Sequence, residues 1–161
     1  MTEKERGYAL ADQEGQAIWL GGSLETMKAK SEQTHHAYGL HVVVTPPGAE
    51  PPAHIHRHQD EAFYVLEGAV SVRCGEQVWH GETGTFVFLP KGVPHAYKVE
   101  GTTPLKMLVI TSPGGPLDFE QFVEEMGEPA QTRSLPTPKP LDIDKMQRLA
   151  TKYGIEFVEL S

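Results

Sequence analysis

The sequence has little cysteine, little positive charge and no long apolar run. Cys74 is its single cysteine, so no disulfide can form within the chain, which agrees with a reducing compartment. There are 22 acidic residues against 14 basic ones, a formal charge of -8 that disfavours binding to nucleic acid or to an anionic membrane. No stretch has the length needed to span a bilayer, and residues 1–15 lack the apolar core of a signal peptide. We therefore expect a cytoplasmic protein with no nucleic-acid partner and no membrane partner.

The length and the pattern of the chain indicate one β domain. With 161 residues, 39% of them apolar, the chain can bury one core but is too short for two ordinary domains, so we predict a single domain over residues 1–161. Between residues 38 and 112, short β-branched and aromatic runs alternate with glycine and proline turn signals. This pattern is typical of an all-β sandwich or barrel, and we place the barrel core in residues 38–112.

Two short helices are predicted after the β region. Residues 117–127 place Phe119, Phe122 and Met126 at helical spacing, and a second amphipathic pattern covers residues 142–153. A proline-rich linker joins the two helices. We interpret the first helix as a lid packed on the barrel rather than as a partner-binding helix.

The N-terminal region, residues 1–33, is predicted to carry strands arranged as a hairpin around Gly21 and Gly22. An early hairpin leaves one unpaired sheet edge, and such an edge invites pairing with a second copy of the chain. We therefore predict a homodimer whose contact lies in this region.

Histidine and acidic side chains are concentrated between Gly48 and Gly68. His54 and His56 lie two apart, so on an extended backbone both rings project from one face. Glu61 has the opposite parity, so a turn must lie between it and the two histidines if all three are to meet. The polar segment 57–60 can form that turn, and it leads into an aromatic and β-branched strand.

A third histidine, His95, follows a proline-glycine turn and opens another predicted strand. Three imidazoles and one carboxylate form a nitrogen and oxygen donor set that suits iron, manganese, cobalt, nickel, copper or zinc and is poor for calcium. The alternative is a metal-free barrel that keeps these histidines as buried polar groups. His58 shares the parity of His54 and His56 but falls in the segment that must turn, so we place it at the pocket mouth or in solvent.

These residues resemble the two sequence motifs of the cupins. The first motif is matched at Gly48, His54, His56, Glu61 and Gly68, and the second at Gly84, Pro90, Gly92 and His95. Only Val99 departs, since the second motif ends in asparagine. The resemblance implies a small cupin-type β-barrel, a jelly-roll-like double-stranded β-helix, with one divalent transition metal (Fe, Mn, Ni, Co, Cu or Zn) bound by His54, His56, Glu61 and His95. The asparagine is not a ligand in the family, so its loss leaves the implied metal site intact.

Strand alternation also predicts the walls of a substrate pocket. If Glu61 faces inward, Phe63 and Val65 follow on the same face, and Tyr97 follows His95 in the same way. In the last strand of the barrel Met107 is predicted to face inward. Walls of this composition favour a flat or apolar small molecule.

Three functions remain open at this point. The element order resembles cupins similar to flavonol dioxygenases of the quercetinase type, which implies oxygen-dependent chemistry on a planar enolic or phenolic compound, with Glu61 as ligand and as catalytic base. The second is a non-oxidative metal-dependent isomerase, lyase or decarboxylase. The third is a cupin that binds a small molecule without turnover.

Overall fold

A computed structural model describes residues 6–160, which form two antiparallel β-sheets and two α-helices. The seven-stranded sheet contains, in spatial order, β11 (Glu128–Pro129), β1 (Gln16–Leu20), β2 (Ser23–Ala29), β3 (Gly39–Thr45), β10 (Leu105–Ser112), β5 (Asp60–Glu67) and β8 (Phe86–Leu89). The five-stranded sheet contains β12 (Ile155–Phe157), β4 (His54–His56), β9 (His95–Glu100), β6 (Ala69–Cys74) and β7 (Gln77–Glu82). The expected all-β cupin-like barrel is confirmed.

The inner faces of the two sheets enclose the main core. Strand β10 shows the reason, because its side chains alternate strictly between buried and half-buried positions, with Leu105, Met107 and Val109 inside. They pack with β-branched side chains of the facing strands β6 and β9, such as Val72 and Val99. Alternation of this kind buries one face of each strand and leaves the other toward solvent.

Two short helices follow the barrel, as the sequence predicts. Helix α1 (Phe119–Met126) begins at Asp118, whose carboxylate accepts a hydrogen bond from the Gln121 backbone N–H. Helix α2 (Ile143–Tyr153) is capped in the same way by Asp142 and ends at Gly154, which has a φ of 66°. The buried faces of the helices form a second core with β1, β2 and β12.

The N-terminal strands are built into the larger sheet. Strand β2 lies between β1 and β3, and the outer edge of β1 pairs with β11, which is part of the proline-rich linker, at Ile18 and Trp19. Residues 1–5 of the predicted N-terminal region lie outside the described residues. The edge expected to be open is therefore partly covered by the chain itself, and the homodimer stays a prediction.

Neither helix in residues 6–160 has the length and apolar character needed to cross a bilayer.

Candidate metal centre

The four predicted donor side chains come together from the two facing sheets. His54 and His56 lie on β4 and His95 on β9 of the smaller sheet, where His54 and His95 are paired in register. Glu61 lies on β5 of the larger sheet. The chain changes sheets in the irregular segment 57–59, which is where the sequence required a turn. The crossing brings the Glu61 carboxylate over the imidazole rings despite its opposite parity.

The geometry of this cluster suits a single ion. Donor atoms from all four side chains lie within 4.8 Å of one another, and all four residues are buried. The Nε2 atoms of His54 and His56 are 3.2 Å apart, and Glu61 Oε2 lies 3.1 Å from His95 Nε2 and 3.6 Å from His56 Nε2. Two ligands held 2.0–2.2 Å from an ion at a right angle stand about 3 Å apart. The spacing of the donors is therefore that of a coordination shell.

The histidine tautomers give a second test of the fit. The Nδ1 atom of His54 lies 2.8 Å from the Pro52 carbonyl oxygen, and Nδ1 of His95 lies 3.0 Å from the Val93 carbonyl oxygen. A carbonyl can only accept, so each Nδ1 carries the proton and each Nε2 presents a lone pair. The lone pairs point at one another and at a carboxylate. A bound cation relieves that repulsion, so the residues present fit a metal.

The electrostatics keep three of the four donors, His54, His56 and Glu61, in the form that binds a cation near neutral pH. Burial, reinforced by the neighbouring imidazoles, lowers the pKa of His54 to about 3, and burial also lowers the pKa of His56. Burial works against the charge on Glu61, but His56 and His95 outweigh it and lower the pKa of Glu61 to about 2. Burial also opposes the charge on His95, yet the Glu61 carboxylate outweighs burial and raises the pKa of His95, so this ring has to release a proton when a metal binds. Neutral imidazoles and an ionised carboxylate are the forms that bind metals.

A cavity of about 120 Å³ opens beside the cluster and is mostly apolar. It is lined by His54 and Glu61 and by three of the predicted wall residues, Phe63, Tyr97 and Met107. Val65 requires a correction, because it is fully buried in the main core and does not line the cavity. Alternation correctly gives the face of β5 to which Val65 belongs, but not how far along the strand the cavity extends.

The C-terminal part of the chain completes the cavity and pairs with β4, the strand that carries His54 and His56. Phe119, Phe122 and Met126 of α1 line it, and the Phe119 ring lies edge-on to His56 with 5.0 Å between centroids. Strand β12 pairs with β4, so that Ile155 lies opposite His56. The first helix, predicted to be a lid, therefore packs directly against His56, one of the candidate metal-binding side chains.

The structure also shows where His58 and Val99 lie. His58 is exposed and lies against Gly154 at the end of α2, outside the donor cluster. The side chain of Val99, which replaces the motif asparagine, is buried in the main core, and its N–H donates to Glu50 at 2.8 Å. The departure at this position therefore falls in the apolar core and not among the donors.

A buried acidic cluster was missed by the sequence analysis. Glu25 of β2 and His41 of β3 line the same cavity, and Glu120 of α1 lies next to His41. His41 is 1% exposed, so its imidazole is a buried polar group rather than a surface one. Parity offered a signal, because Glu25 alternates with Ser23 and Met27 and all three face inward.

Comparison with known proteins agrees with the motifs. Residues 41–111 match the family described as "Cupin domain", and this region contains all four donors. This region of the chain therefore resembles the cupins. Among curated proteins the chain is similar to quercetin 2,3-dioxygenase of Bacillus subtilis, with 28% identity over 143 residues that cover 86% of the chain and 40% of that enzyme. The chain spans less than two thirds of the length of the curated relatives it matches.

Solved structures agree on the fold. A predicted oxalate decarboxylase from Thermotoga maritima superposes with a TM-score of 0.60 at 18% identity, over 65% of this chain and 97% of the other. An RmlC-like cupin from Shewanella frigidimarina superposes with a TM-score of 0.58 at 24% identity, over 73% of this chain and 97% of the other. At these identities the likeness establishes a shared architecture.

Proposed function

We propose that this protein is a metal-dependent dioxygenase that acts on a small planar enolic or phenolic compound. The observation that carries the proposal is the convergence of three imidazoles and one carboxylate at the wall of an aromatic-lined cavity. His54, His56, Glu61 and His95 would hold one divalent transition metal (Fe, Mn, Ni, Co, Cu or Zn). That ion would supply a Lewis acid, lowering the pKa of a substrate hydroxyl and orienting its oxygen.

The cavity walls support a flat substrate. The rings of Phe63 and Tyr97 lie edge-to-face with centroids 5.7 Å apart, and Phe119 adds a third aromatic surface near His56. Aromatic walls of this kind favour another aromatic ring by offset or edge contacts. The Tyr97 hydroxyl is engaged by Thr45 at 2.9 Å, which fixes the Tyr97 ring. These residues would bind the substrate and keep water away from it.

Glu61 is the proposed catalytic residue among the four donors. The neighbouring imidazoles keep it ionised, so it can accept a proton from a substrate hydroxyl held beside the metal. Its Oε2 atom lies 3.6 Å from His56 Nε2 and 3.1 Å from His95 Nε2, so an ion held by these two rings would also hold the carboxylate in place. The similarity to quercetin 2,3-dioxygenase supports oxygen-dependent chemistry of this type.

The test is oxygen consumption by the metal-loaded protein. The protein is prepared separately with iron, manganese, cobalt, nickel and copper and is given flavonols, catechols and enols in an oxygen electrode. We expect oxygen uptake with at least one metal and one planar enolic compound. Conversion that continues without oxygen would instead indicate a non-oxidative isomerase, lyase or decarboxylase. Binding without any conversion would indicate a small-molecule-binding cupin.

Homodimer formation and a cytoplasmic location are part of the same proposal. The buried thiol of Cys74 is compatible with a reducing compartment. Light scattering at micromolar concentration tests the dimer, and a mass of one chain would contradict it.

A further inference from the structure

A second buried polar cluster lies in the barrel outside the metal centre. It joins Glu25 on β2, His41 on β3 and Glu120 on α1, which are 7%, 1% and 1% exposed. Glu25 Oε2 lies 3.3 Å from His41 Nε2, and Glu120 Oε1 lies 3.8 Å from His41 Nδ1. Thr111 donates a hydrogen bond of 2.7 Å to the same Glu120 oxygen. One imidazole thus separates two buried carboxyl groups.

The cluster is only partly satisfied internally. Within residues 6–160, Glu25 Oε2, His41 Nδ1 and Glu120 Oε2 are buried and make no hydrogen bond, although ion-pair contacts of 3.3 and 3.8 Å join the three residues through His41. A buried polar atom left unpaired costs roughly 1–3 kcal/mol, so native proteins rarely keep one without a purpose. Because Glu25 also lines a cavity, a ligand in that cavity can supply the hydrogen bond that the cluster lacks.

That space is the cavity of the metal centre. Glu25 and His41 line it together with His54 and Glu61. In the larger sheet Glu25 is separated from Glu61 by β3 and β10, so three strand spacings of about 4.8 Å lie between the two backbones. A ligand that contacts Glu61 and extends across the cavity would therefore bring its far end to Glu25.

We propose that Glu25 binds a hydroxyl or carbonyl oxygen at the end of the cavity ligand remote from the metal centre, with His41 and Glu120 as positioning residues. The inference deepens the proposed function and rests on it, because it narrows the substrate to a planar compound with a second polar group opposite its metal-binding oxygens. Glu25 then determines specificity by discriminating against compounds that lack this group.

The environment of Glu25 allows its carboxyl group to act as a hydrogen-bond donor. Burial raises the pKa of Glu25 to about 7, with His41 lowering it and Glu61 adding to the rise. A carboxyl group with this pKa is protonated in a substantial fraction of molecules near neutral pH, so it can donate to an oxygen of the ligand as well as accept from a hydroxyl.

The position of Glu120 explains how Glu25 is held. Gly39 leaves the space that the Glu120 carboxylate fills, and a Cβ at position 39 would overlap that carboxylate. Glu120 therefore lies against β3, beside His41, and His41 lies between it and Glu25. The lid helix and the strand that carries the specificity residue are coupled through one imidazole.

The experiment measures binding alone, using zinc-loaded protein and two flavonols. Quercetin and 3-hydroxyflavone share the metal-binding enol and ketone, but only quercetin has further hydroxyl groups at its far end. For the wild-type protein we expect quercetin to bind about tenfold more tightly, the gain of one well-placed hydrogen bond. Glu25→Leu should remove this preference, and Glu25→Gln, which still forms hydrogen bonds, should keep part of it. Glu76→Leu, at an exposed turn, is the charge-matched control and should change nothing.

Each remaining outcome decides the question. An unchanged ratio of the two affinities in Glu25→Leu would overturn the inference while leaving the proposed function intact. Failure of both flavonols to bind wild-type protein would remove the proposed substrate class and the inference with it. Thermal melting gives an independent readout, because a carboxyl group kept for a ligand does not stabilise the ligand-free fold. Glu25→Leu should melt no lower than wild type, and a lower melting temperature would assign Glu25 a structural role instead.

Discussion

The two buried clusters of this barrel use the same residue types in opposite ways. In the metal centre three imidazoles and one carboxylate converge, with donor atoms within 4.8 Å of one another. In the second cluster a single imidazole, His41, separates the carboxyl groups of Glu25 and Glu120. The first set of donors fits one cation, whereas the second is spread along a line. The difference shows that the direction of lone pairs, rather than the inventory of histidine and glutamate, decides what a buried cluster can bind.

Backbone carbonyls produce much of this difference. The rings of His54 and His95 each donate Nδ1–H to a carbonyl two residues earlier in the chain, which aims both Nε2 atoms at one point. Nδ1 of His41 has no such partner among residues 6–160 and faces Glu120 instead. A matched set of substitutions can therefore separate metal binding from substrate selection.

The largest expected effect is loss of the metal. His56→Ala or His95→Ala removes one of the four donors. The amount of metal bound per chain should therefore fall by more than about tenfold. Elemental analysis after dialysis measures it. His58→Ala, which changes an exposed histidine of the same segment, is the control and should keep one metal per chain. Full retention of metal by both ligand variants would show that the proposed ligands are wrong.

The next effect separates catalysis from binding within the metal centre. Glu61→Gln keeps an oxygen donor but loses the proton acceptor, so turnover should fall by about 100-fold while most of the metal stays bound. Oxygen uptake and metal content are measured on the same sample. Glu67→Gln alters an exposed carboxylate of the same strand and should leave both unchanged. Parallel loss of metal and turnover would mean that Glu61 acts only as a ligand.

A smaller effect is expected where the second cluster is fixed to the barrel. Gly39→Ala places a methyl group in the space of the Glu120 carboxylate, so the unfolding free energy should fall by roughly 1–3 kcal/mol. Urea denaturation measures the change. Gly115→Ala is the matched control, since nothing lies within 4 Å of a Cβ at that position. Equal stability of the two variants would show that Glu120 moves aside without cost.

The smallest effect is a pH dependence that belongs to Glu25. Its pKa is about 7 when folded and near 4.5 otherwise, so between these values the folded state holds a proton that the unfolded chain has released. Rising pH therefore lowers the unfolding free energy of the wild-type protein through Glu25. Glu25→Leu lacks this contribution. His41 on β3 and Glu61 on β5 act on Glu25, and we choose pH 5 to 6 because His41, whose pKa is raised, stays charged there.

Across that interval the difference in unfolding free energy should shift by about 1 kcal/mol in favour of the variant. Chemical denaturation at the two pH values measures this shift. A constant difference would mean that Glu25 is ionised when folded, as an ordinary exposed carboxylate is.

Local spacing in the sequence accounts for most of the arrangement of the four candidate donors. The two-residue step between His54 and His56 places their rings on one face in any extended segment, and the parity of Glu61 correctly required a turn before it. The alternation in β10 likewise placed Met107 inside. These features depend on neighbours within a few positions, which a sequence displays directly.

Features that depend on distant contacts were not predicted. Glu120 lies in the first turn of an amphipathic helix, where an acidic side chain usually meets solvent, and only the docking of α1 on β3 buries it. Val65 has the parity of Phe63, but the cavity does not extend as far as its position. The pairing of β12 with β4 joins segments whose sequences give no sign of their partnership.

That last pairing sets an order of events during synthesis. Strand β4, which carries two of the four donors, has three residues, and one of its two neighbours is β12, about a hundred positions later in the chain. At roughly 5–20 residues per second, a ribosome needs roughly 5–20 s to deliver that neighbour after His56 has been made. Until then the histidine strand lacks one of its flanking strands. The four candidate donors can therefore reach the arrangement seen here only after residues 155–157 have been made.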